Sequence, residues 1–408
     1  MTRAKATARL STVQMESPLE ETLRTAACQM LVAALHAEVD AYLAQFDHER
    51  DDQNHRLVVR NGLARERTIQ TTVGTLQVRQ PRVNDRREGH HYESVIMPKF
   101  SRRTMTIDTM VASLYLNGVS TNHMEEVLKS MVGDKFGSMS PTVVSGIIER
   151  WQDLYREWAR RPIEKRYVYV WVDGIYTKVR TTNDRPCMLV MIGCDEHGNK
   201  ELLAVVDGER ESELSWTAVL MDLKKRGMTA PRLAIGDGAL GFWAAVKKAF
   251  PATKMQACTV HALRNALDKL PKKLQETAKS RLHEMFNSET EKDAREQFDV
   301  YKNTFNDKYP KAVETIEKRL NALLAYYSFP AAHWKSIRST NVIESTFATI
   351  RRRSNQTNGH GSREAALAMM FVLAENASKS WRKLDGFNHI ASVLEGITYV
   401  DGERKMAA

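Results

Sequence analysis

The sequence contains few cysteines and no long apolar run, internal repeat or low-complexity tract. Its 408 residues include four scattered cysteines, Cys28, Cys187, Cys194 and Cys258. This spacing excludes a disulfide framework and is typical of a reduced, cytoplasmic protein. No apolar run approaches the ~18 residues that a membrane helix needs, and the polar N-terminus lacks the apolar core of a signal peptide. We therefore expect a cytoplasmic, nucleoid-associated protein without a membrane partner.

Basic residues outnumber acidic ones. The net charge is +10 and the isoelectric point is near 9.3, which favours a polyanionic partner. Residues 56–103, called the basic segment below, contribute +7 from eleven basic and four acidic residues. Ten of the eleven are arginine, which suits phosphate and base-edge contacts. We interpret this segment as a DNA-binding surface, with a solvated basic face as the alternative. The DNA contacts predicted there are Arg79, Arg82, Arg86, Arg87, Arg102 and Arg103.

The N-terminal part of the chain changes pattern twice. Residues 17–46 carry apolar side chains at helical spacing, whereas residues 58–83 form short extended stretches with a hairpin turn at Gly74. Three helices are predicted between residues 104 and 158, the last beginning at Ser140-Pro141. Such a compact unit predicts a helix-turn-helix-like arrangement, with an ordinary helical subdomain as the alternative.

Beyond Arg161-Pro162 the pattern becomes mixed. Predicted strands lie at 166–173, 186–194, 200–207, 232–236 and 254–258, and predicted helices at 212–226, 242–250 and 260–270. A three-strand meander followed by alternating helices and strands is the order of a ribonuclease H-like core. Residues 271–335, the helical insertion, interrupt this order before two further helices at 340–353 and 362–378.

Three carboxylates are predicted where these elements begin or end. Asp173 follows an apolar strand, Asp237 repeats that pattern, and Glu344 lies in the stretch that opens an Arg-rich helix. A lone Asp-Gly is more often a simple turn. A buried carboxylate, however, needs a counter-charge, and carboxylates are the ligands that hard divalent cations prefer. The three together predict a site for two ions, Mg²⁺ or Mn²⁺.

Several short motifs follow one another in the order found in a known family. They are Gly118-Val119-Ser120-Thr121, Val172-Asp173-Gly174, Asp237-Gly238, Gln256-x-Cys258-x-x-His261 and Ser339-Thr340-Asn341-x-x-Glu344-Ser345, followed by Arg351-Arg352-Arg353. With a helical insertion before the glutamate, the chain resembles bacterial insertion-sequence transposases of the Mutator-like class. The resemblance covers most of the chain beyond residue 60.

The resemblance implies a function and a site. Asp173, Asp237 and Glu344 would be the catalytic triad, and the reaction would be cleavage and joining of DNA strands at the ends of a mobile element. The implied partner is double-stranded DNA, both element ends and target. We expect a homodimer or larger assembly on two DNA ends, with the helical insertion at a DNA or subunit interface.

Further residues are predicted around this site. Asn341, one turn before Glu344, would steady a ligand or a phosphate. Cys258 and His261 are expected to be a packed cysteine and a histidine near the active site, with a zinc site as the alternative. The remaining predicted DNA contacts are Lys178, Arg180, Arg351, Arg352 and Arg353. Five other acids are interpreted as solvated: Asp195, Asp207, Glu209, Glu211 and Glu213.

The predicted fold is an α/β ribonuclease H-like catalytic core interrupted by an all-α insertion and preceded by a basic N-terminal DNA-binding region with a helix-turn-helix-like unit. The predicted segments are 1–55 (helical), 56–103 (basic, β-rich), 104–160 (helix-turn-helix-like), 161–270 and 336–380 (core), 271–335 (insertion) and 381–408 (tail). A DNA-binding regulator with an inactive core is the alternative function. The complete carboxylate set favours the enzyme.

Overall fold

The structure is a computed structural model that describes residues 17–133, 136–137, 139–179, 185–208, 210–238, 240–356 and 360–405. Its internal contacts divide the chain into two compact units, Met1–Ile147 and Ile148–Ala408.

The first unit begins with a long helix and two β-ribbons. The elements are α1 (Pro18–Gln45), β1 (Val58–Leu63), β2 (Arg67–Thr71), β3 (Gly74–Val78) and β4 (Pro81–Asp85). The Ser17 hydroxyl caps α1 by accepting a hydrogen bond from Leu19 N at 3.3 Å. Strand β1 pairs antiparallel with β4, and β2 with β3. Leu35, Leu76 and Val78 are buried between α1 and the β2–β3 ribbon, so the predicted helix and extended region are both confirmed.

Three helices follow these ribbons. They are α2 (Met105–Leu116), α3 (Met124–Val132) and α4 (Thr142–Arg160), and the boundary between the two units falls within α4. These spans agree with the predicted helices, and Gly118 has the positive φ, 106°, that the turn after α2 requires. Docking of these helices as a helix-turn-helix stays a prediction.

The second unit is built on a five-stranded sheet. Its strands are β5 (Tyr167–Tyr176), β6 (Cys187–Asp195), β7 (Lys200–Gly208), β8 (Leu233–Gly236) and β9 (Lys254–Ala257), in the order β7-β6-β5-β8-β9. The first three strands are antiparallel neighbours, whereas β5, β8 and β9 run parallel. Helices α5 (Glu213–Lys225) and α6 (Leu240–Ala249) cover one face, where Val170 and Val172 pack with Trp216 and Phe242.

Strand β5 is longer than predicted. Asp173 was expected at its end, but it lies inside the strand and pairs with Val190 of β6. The reason is that β6 continues to pair with β5 as far as Tyr176. The prediction for Asp237 is confirmed, because β8 ends at Gly236, immediately before it.

The opposite face of β5 carries the helical part of the chain. After α7 (Thr259–Leu267) come α8 (Lys272–Phe286), α9 (Glu291–Phe305), α10 (Pro310–Glu317), α11 (Leu320–Leu323) and α12 (Trp334–Ile337). The Tyr169 hydroxyl lies 2.7 Å from His333 Nδ1, and Trp171 Nε1 donates to Ser336 O at 3.0 Å. These bonds tie the central strand to His333, near the end of the helical insertion, and to Ser336 within α12.

The last elements are α13 (Asn341–Gln356), α14 (Arg363–Ser378), α15 (Ile390–Leu394), β10 (Tyr399–Val400) and β11 (Glu403–Arg404). The described part of the tail, residues 381–405, is therefore folded, and Asp401 Oδ1 accepts a hydrogen bond from Glu291 N in the helical insertion. Among the described residues no helix is both long and apolar enough to cross a membrane.

Candidate active site

Asp173 and Asp237 lie at the same end of the sheet because of the register of strands β5 and β8. Trp171 of β5 pairs with Ile235 of the parallel strand β8, and Asp173 and Asp237 each lie two residues further on. Glu344 comes from the first turn of α13. Burial raises the pKa of Asp173 to about 6, with further contributions from the charges of Asp237 and Glu344. The three predicted carboxylates are thus brought close enough to influence one another.

A fourth carboxylate, Glu211, joins them. A Cβ atom added at Gly174 would lie 2.6 Å from Glu211 Cδ, so the carboxylate lies directly against the glycine that follows Asp173. Burial, then the charges of Asp237 and Asp173, raise the pKa of Glu211 to about 7. The prediction that Glu211 is solvated is therefore wrong. Below, Asp173, Glu211, Asp237 and Glu344 are called the acidic cluster.

Tertiary packing places Glu211. It lies between β7 and α5, where a Cβ at Gly241 would lie 2.7 Å from Glu211 O and 2.6 Å from Glu213 N. The loop is held close to α6 because position 241 has no side chain. Sequence reasoning missed Glu211 because an acid just before a helix N-cap, Ser212, is ordinarily a solvated residue.

His261 supplies a positive charge beside this cluster. Its Nε2 lies 3.7 Å from Glu344 Oε1. Hydrogen bonding to Cys258, together with the charges of Asp173 and Glu344, raises the pKa of His261 to about 9. The imidazole is therefore cationic at neutral pH and offsets part of the negative charge of the cluster.

Cys258 links the start of α7 to the start of α13. Its Sγ lies 3.3 Å from both Thr340 N and Thr340 Oγ1, and Thr340 Oγ1 is also 3.3 Å from His261 Nδ1. Burial opposes ionisation of the thiol, but hydrogen bonds from His261 and Thr340 lower the pKa of Cys258. The thiol is fully buried, so these contacts position His261 and the residue that precedes α13.

The donor set of the acidic cluster suits hard cations. Glu344 Oε1 is buried and accepts no hydrogen bond, and Asp173 and Glu211 both have raised pKa values because of burial. In the described part of the chain, no three His, Cys, Asp or Glu side chains already form a metal site. Mg²⁺, however, is often held by one or two carboxylates together with water and substrate phosphates. The acidic cluster offers carboxylate oxygens without enough positive charge around them, so it fits Mg²⁺ or Mn²⁺. It lacks the cysteine and histidine ligands typical of a zinc site.

Two arginines predicted to contact DNA are held inside the protein. The Arg87 side chain is 10% exposed, pairs with Asp85 at 2.7 Å and Glu49 at 3.4 Å, and stacks on Phe46. Arg353 is only 2% exposed. The Arg87 contacts join α1 to β4, and neither side chain presents a free surface to a phosphate.

The other predicted residues lie nearer the surface. Arg103 pairs with Asp108 and is half-buried. Exposed positions are Arg79, Arg82, Arg86, Arg102, Lys178, Asn341, Arg351 and Arg352. Arg180 and Glu209 lie outside the described residues. Asp195, predicted to be solvated, is instead buried and caps the turn after β6.

Comparison with known proteins identifies the family. A family model described as "Transposase, Mutator family" matches residues 1–384. The chain is 44% identical over 290 residues to the transposase for insertion sequence element IS6120 of Mycolicibacterium smegmatis, covering 71% of this chain and 90% of that protein. It is 41% identical over 281 residues to the transposase for IST2 of Acidithiobacillus ferrooxidans, covering 68% and 95%. A third relative, the transposase for ISRM5 of Rhizobium meliloti (strain 1021), is 27% identical over 394 residues, covering 96% of each chain. The chain belongs to the Mutator family of transposases, which confirms the resemblance.

Proposed function

We propose that this protein is the transposase of an insertion sequence, and that it cleaves and joins DNA strands with Asp173, Asp237 and Glu344 as its catalytic triad. The observation that carries the proposal is the convergence of these carboxylates from β5, the end of β8 and α13. The relatives whose names specify insertion sequence elements support the same function.

A ribonuclease H-like fold is part of this proposal. It is supported by the sheet order β7-β6-β5-β8-β9, with three antiparallel strands followed by two that run parallel to β5. The insertion of helices α8–α12 between the second and third triad residues is consistent with it.

The chemistry follows from the residues of the cluster. Asp173, Asp237 and Glu344 would hold two Mg²⁺ or Mn²⁺ ions, which stabilise the attacking and leaving oxygens of an in-line phosphoryl transfer when bound. With a pKa of about 6, Asp173 is largely ionised at neutral pH, so its carboxylate can bind a cation. His261, cationic beside Glu344, offsets the remaining charge and orients that carboxylate. Asn341, exposed at the start of α13, can donate to a phosphate.

Binding of double-stranded DNA is assigned to the basic segment. Arg79, Arg82 and Arg86 are exposed, and phosphate contacts made by such side chains release counterions, so affinity falls steeply with salt. Replacing Arg82 and Arg86 by alanine should weaken binding to all sequences alike. Replacing Arg87 should instead lower the melting temperature, because its contacts are internal. Assembly as a dimer or larger oligomer on two ends stays a prediction.

The triad is tested by strand transfer with purified protein, a labelled element end and Mg²⁺. Asp173→Asn, Asp237→Asn and Glu344→Gln should each reduce product below detection while leaving end binding intact. The control is Asp268→Asn, an exposed carboxylate just after α7, which should retain activity. A variant of the triad with near wild-type turnover would remove that residue from the site. End binding without any strand transfer by the wild-type protein would favour the DNA-binding regulator.

A further inference from the structure

One aromatic side chain of the basic segment projects into solvent. Phe100 is 81% exposed and its φ is +74°. Few non-glycine residues adopt a positive φ, and for a bulky side chain it is a strained conformation. An exposed phenylalanine in a strained backbone contributes little to the core, so its presence calls for another explanation.

The strain arises from a tight turn. Ser101 N donates to Pro98 O at 3.2 Å, which closes a four-residue turn with Phe100 at its third position. A third position with positive φ is normally occupied by glycine or asparagine. Glycine there would relieve the strain, yet it would remove the ring from the surface.

This turn is firmly attached to the strand beside it. Arg67 Nη2 donates to Ser101 O at 2.6 Å and to Pro98 O at 3.3 Å. Gln70 N donates to Arg102 O at 2.9 Å just after the turn. Strand β2 therefore holds the backbone of the turn at Pro98, Ser101 and Arg102, and this backbone directs Phe100 toward solvent.

Basic side chains share a cavity with the ring. Arg67, Thr68, Lys99, Phe100 and Arg102 line a cavity of about 480 Å³, and Lys99 Nζ lies 5.4 Å from the centroid of the Phe100 ring. An aromatic ring beside the exposed cations Lys99 and Arg102 matches a nucleotide, because a base stacks on the ring while the flanking phosphates pair with the cations. An apolar peptide or a lipid tail would leave those charges unpaired.

We propose that Phe100 stacks against an unstacked base of the bound DNA, with the flanking phosphates on Lys99 and Arg102. This proposal rests on the proposed function, since it takes DNA as the partner, and it adds a base contact to a surface otherwise assigned to phosphates. Apolar side chains that insert between base steps unstack them and bend the duplex. The stacked base therefore comes either from a base-pair step that Phe100 opens or from DNA that is already single-stranded.

The test uses the full-length protein and element-end duplexes that carry 2-aminopurine at successive positions. Wild-type protein should raise the fluorescence at one or two positions, and Phe100→Ala should abolish that rise. Phe100→Ala should also weaken binding about 5- to 150-fold, the range expected for loss of one stacked base. A single-stranded oligonucleotide of the same sequence distinguishes the two sources of the base: an equal loss there indicates a strand that is already open.

A second variant separates base contact from folding. Phe100→Gly should raise the melting temperature, because it relieves the positive φ, and should weaken DNA binding as much as Phe100→Ala does. Phe100→Trp should retain binding. The matched control is Val95→Ala, which removes another exposed apolar side chain, 87% exposed, from the same segment and should leave affinity unchanged.

Wild-type affinity in Phe100→Ala would overturn the base contact, as would an equal loss in Val95→Ala or the absence of a fluorescence change at every position. A lower melting temperature in Phe100→Gly would show that the ring acts structurally. These results would leave the proposed function in place. Wild-type protein that binds no element-end DNA would instead overturn both.

Discussion

Two aspartates on the same pair of strands have very different surroundings. Asp195, at the end of β6 opposite Tyr167, is 2% exposed, and its Oδ1 accepts hydrogen bonds from His197 N at 2.9 Å and Asn199 N at 2.8 Å. Asp173, further along β5, has a raised pKa and three other carboxylates nearby. Burial alone therefore does not mark a functional carboxylate. A carboxylate that is buried without enough hydrogen-bond donors or positive charges around it is the better functional candidate.

The largest expected difference between Asp173 and Asp195 is the effect of their replacement on strand-transfer activity. Asp173→Asn should abolish strand transfer with little change in folding, because it removes a charge that the ions need. Asp195→Ala should keep strand transfer but destabilise the fold by about 2–3 kcal/mol, because buried backbone donors lose their acceptor. Strand-transfer assays below the melting temperature and thermal unfolding measure the two effects. Loss of activity in a folded Asp195→Ala protein would break the distinction.

The next effect concerns the pH dependence of stability without metal. The folded-state pKa values of Asp173, about 6, and Glu211, about 7, lie above those of the unfolded chain. The folded state therefore binds more protons, and stability should fall as pH rises from about 4 to about 7. His261, with a pKa of about 9, extends the fall from about 6.5 to about 9. Melting temperatures measured in a chelator across this range should show the decline.

The variants Glu211→Gln and Glu213→Gln, and addition of Mg²⁺, test which groups cause the decline in stability. Glu211→Gln should remove its share of the decline, on the order of 2–3 kcal/mol for a partly solvated group whose pKa rises from 4.5 to about 7. Glu213→Gln is the matched control, because that partly exposed acid pairs with Lys248 at 2.5 Å, and it should leave the slope unchanged. Mg²⁺ should restore stability at pH 8 by binding the folded state. A pH slope identical in wild type and Glu211→Gln would exclude Glu211 from the acidic cluster.

Gly174→Ala should have a smaller effect. Its Cβ would overlap the Glu211 carboxylate, and a flexible carboxylate can swing aside at a cost of about 1–2 kcal/mol. The variant should therefore reproduce the flatter pH profile of Glu211→Gln. The same thermal measurement tests it, and a profile like that of the wild type would show that Glu211 does not depend on Gly174.

The smallest effect is expected from zinc removal. The partners of Cys258 Sγ are Thr340 and His261, both of which hydrogen-bond to it. A zinc chelator should therefore leave the melting temperature within 1 °C of its starting value, a change of roughly 0.5–0.9 kcal/mol or less. A large drop on chelation would restore the zinc alternative.

Local patterns predicted much of the fold. Apolar spacing and cap residues located α2 and α4, and the strands β5–β9 appear where β-branched runs were found. The local pattern also put Asp237 directly after its strand. Patterns of this kind depend on neighbours in sequence, so they succeed where local preference and tertiary packing agree.

The errors have a common physical cause. Asp173 lies within β5 because its partner strand continues, and Glu211 is drawn inward because two distant glycines leave room. Arg353 is buried although it belongs to a run of three arginines. Each depends on residues far away in the chain. One sequence shows residue types and spacing, but it does not show which distant surfaces meet.

The position of Glu344 has a consequence during protein synthesis. The chain between Asp237 and Glu344 includes the helical insertion, and the two residues are 107 positions apart. At ribosomal rates of about 5–20 residues per second, the glutamate is added roughly 5–20 s after the second aspartate. On the proposed assignment, a nascent or truncated chain carries its basic segment long before it can cut. Prematurely released fragments that keep the basic segment would then bind element ends without cleaving them.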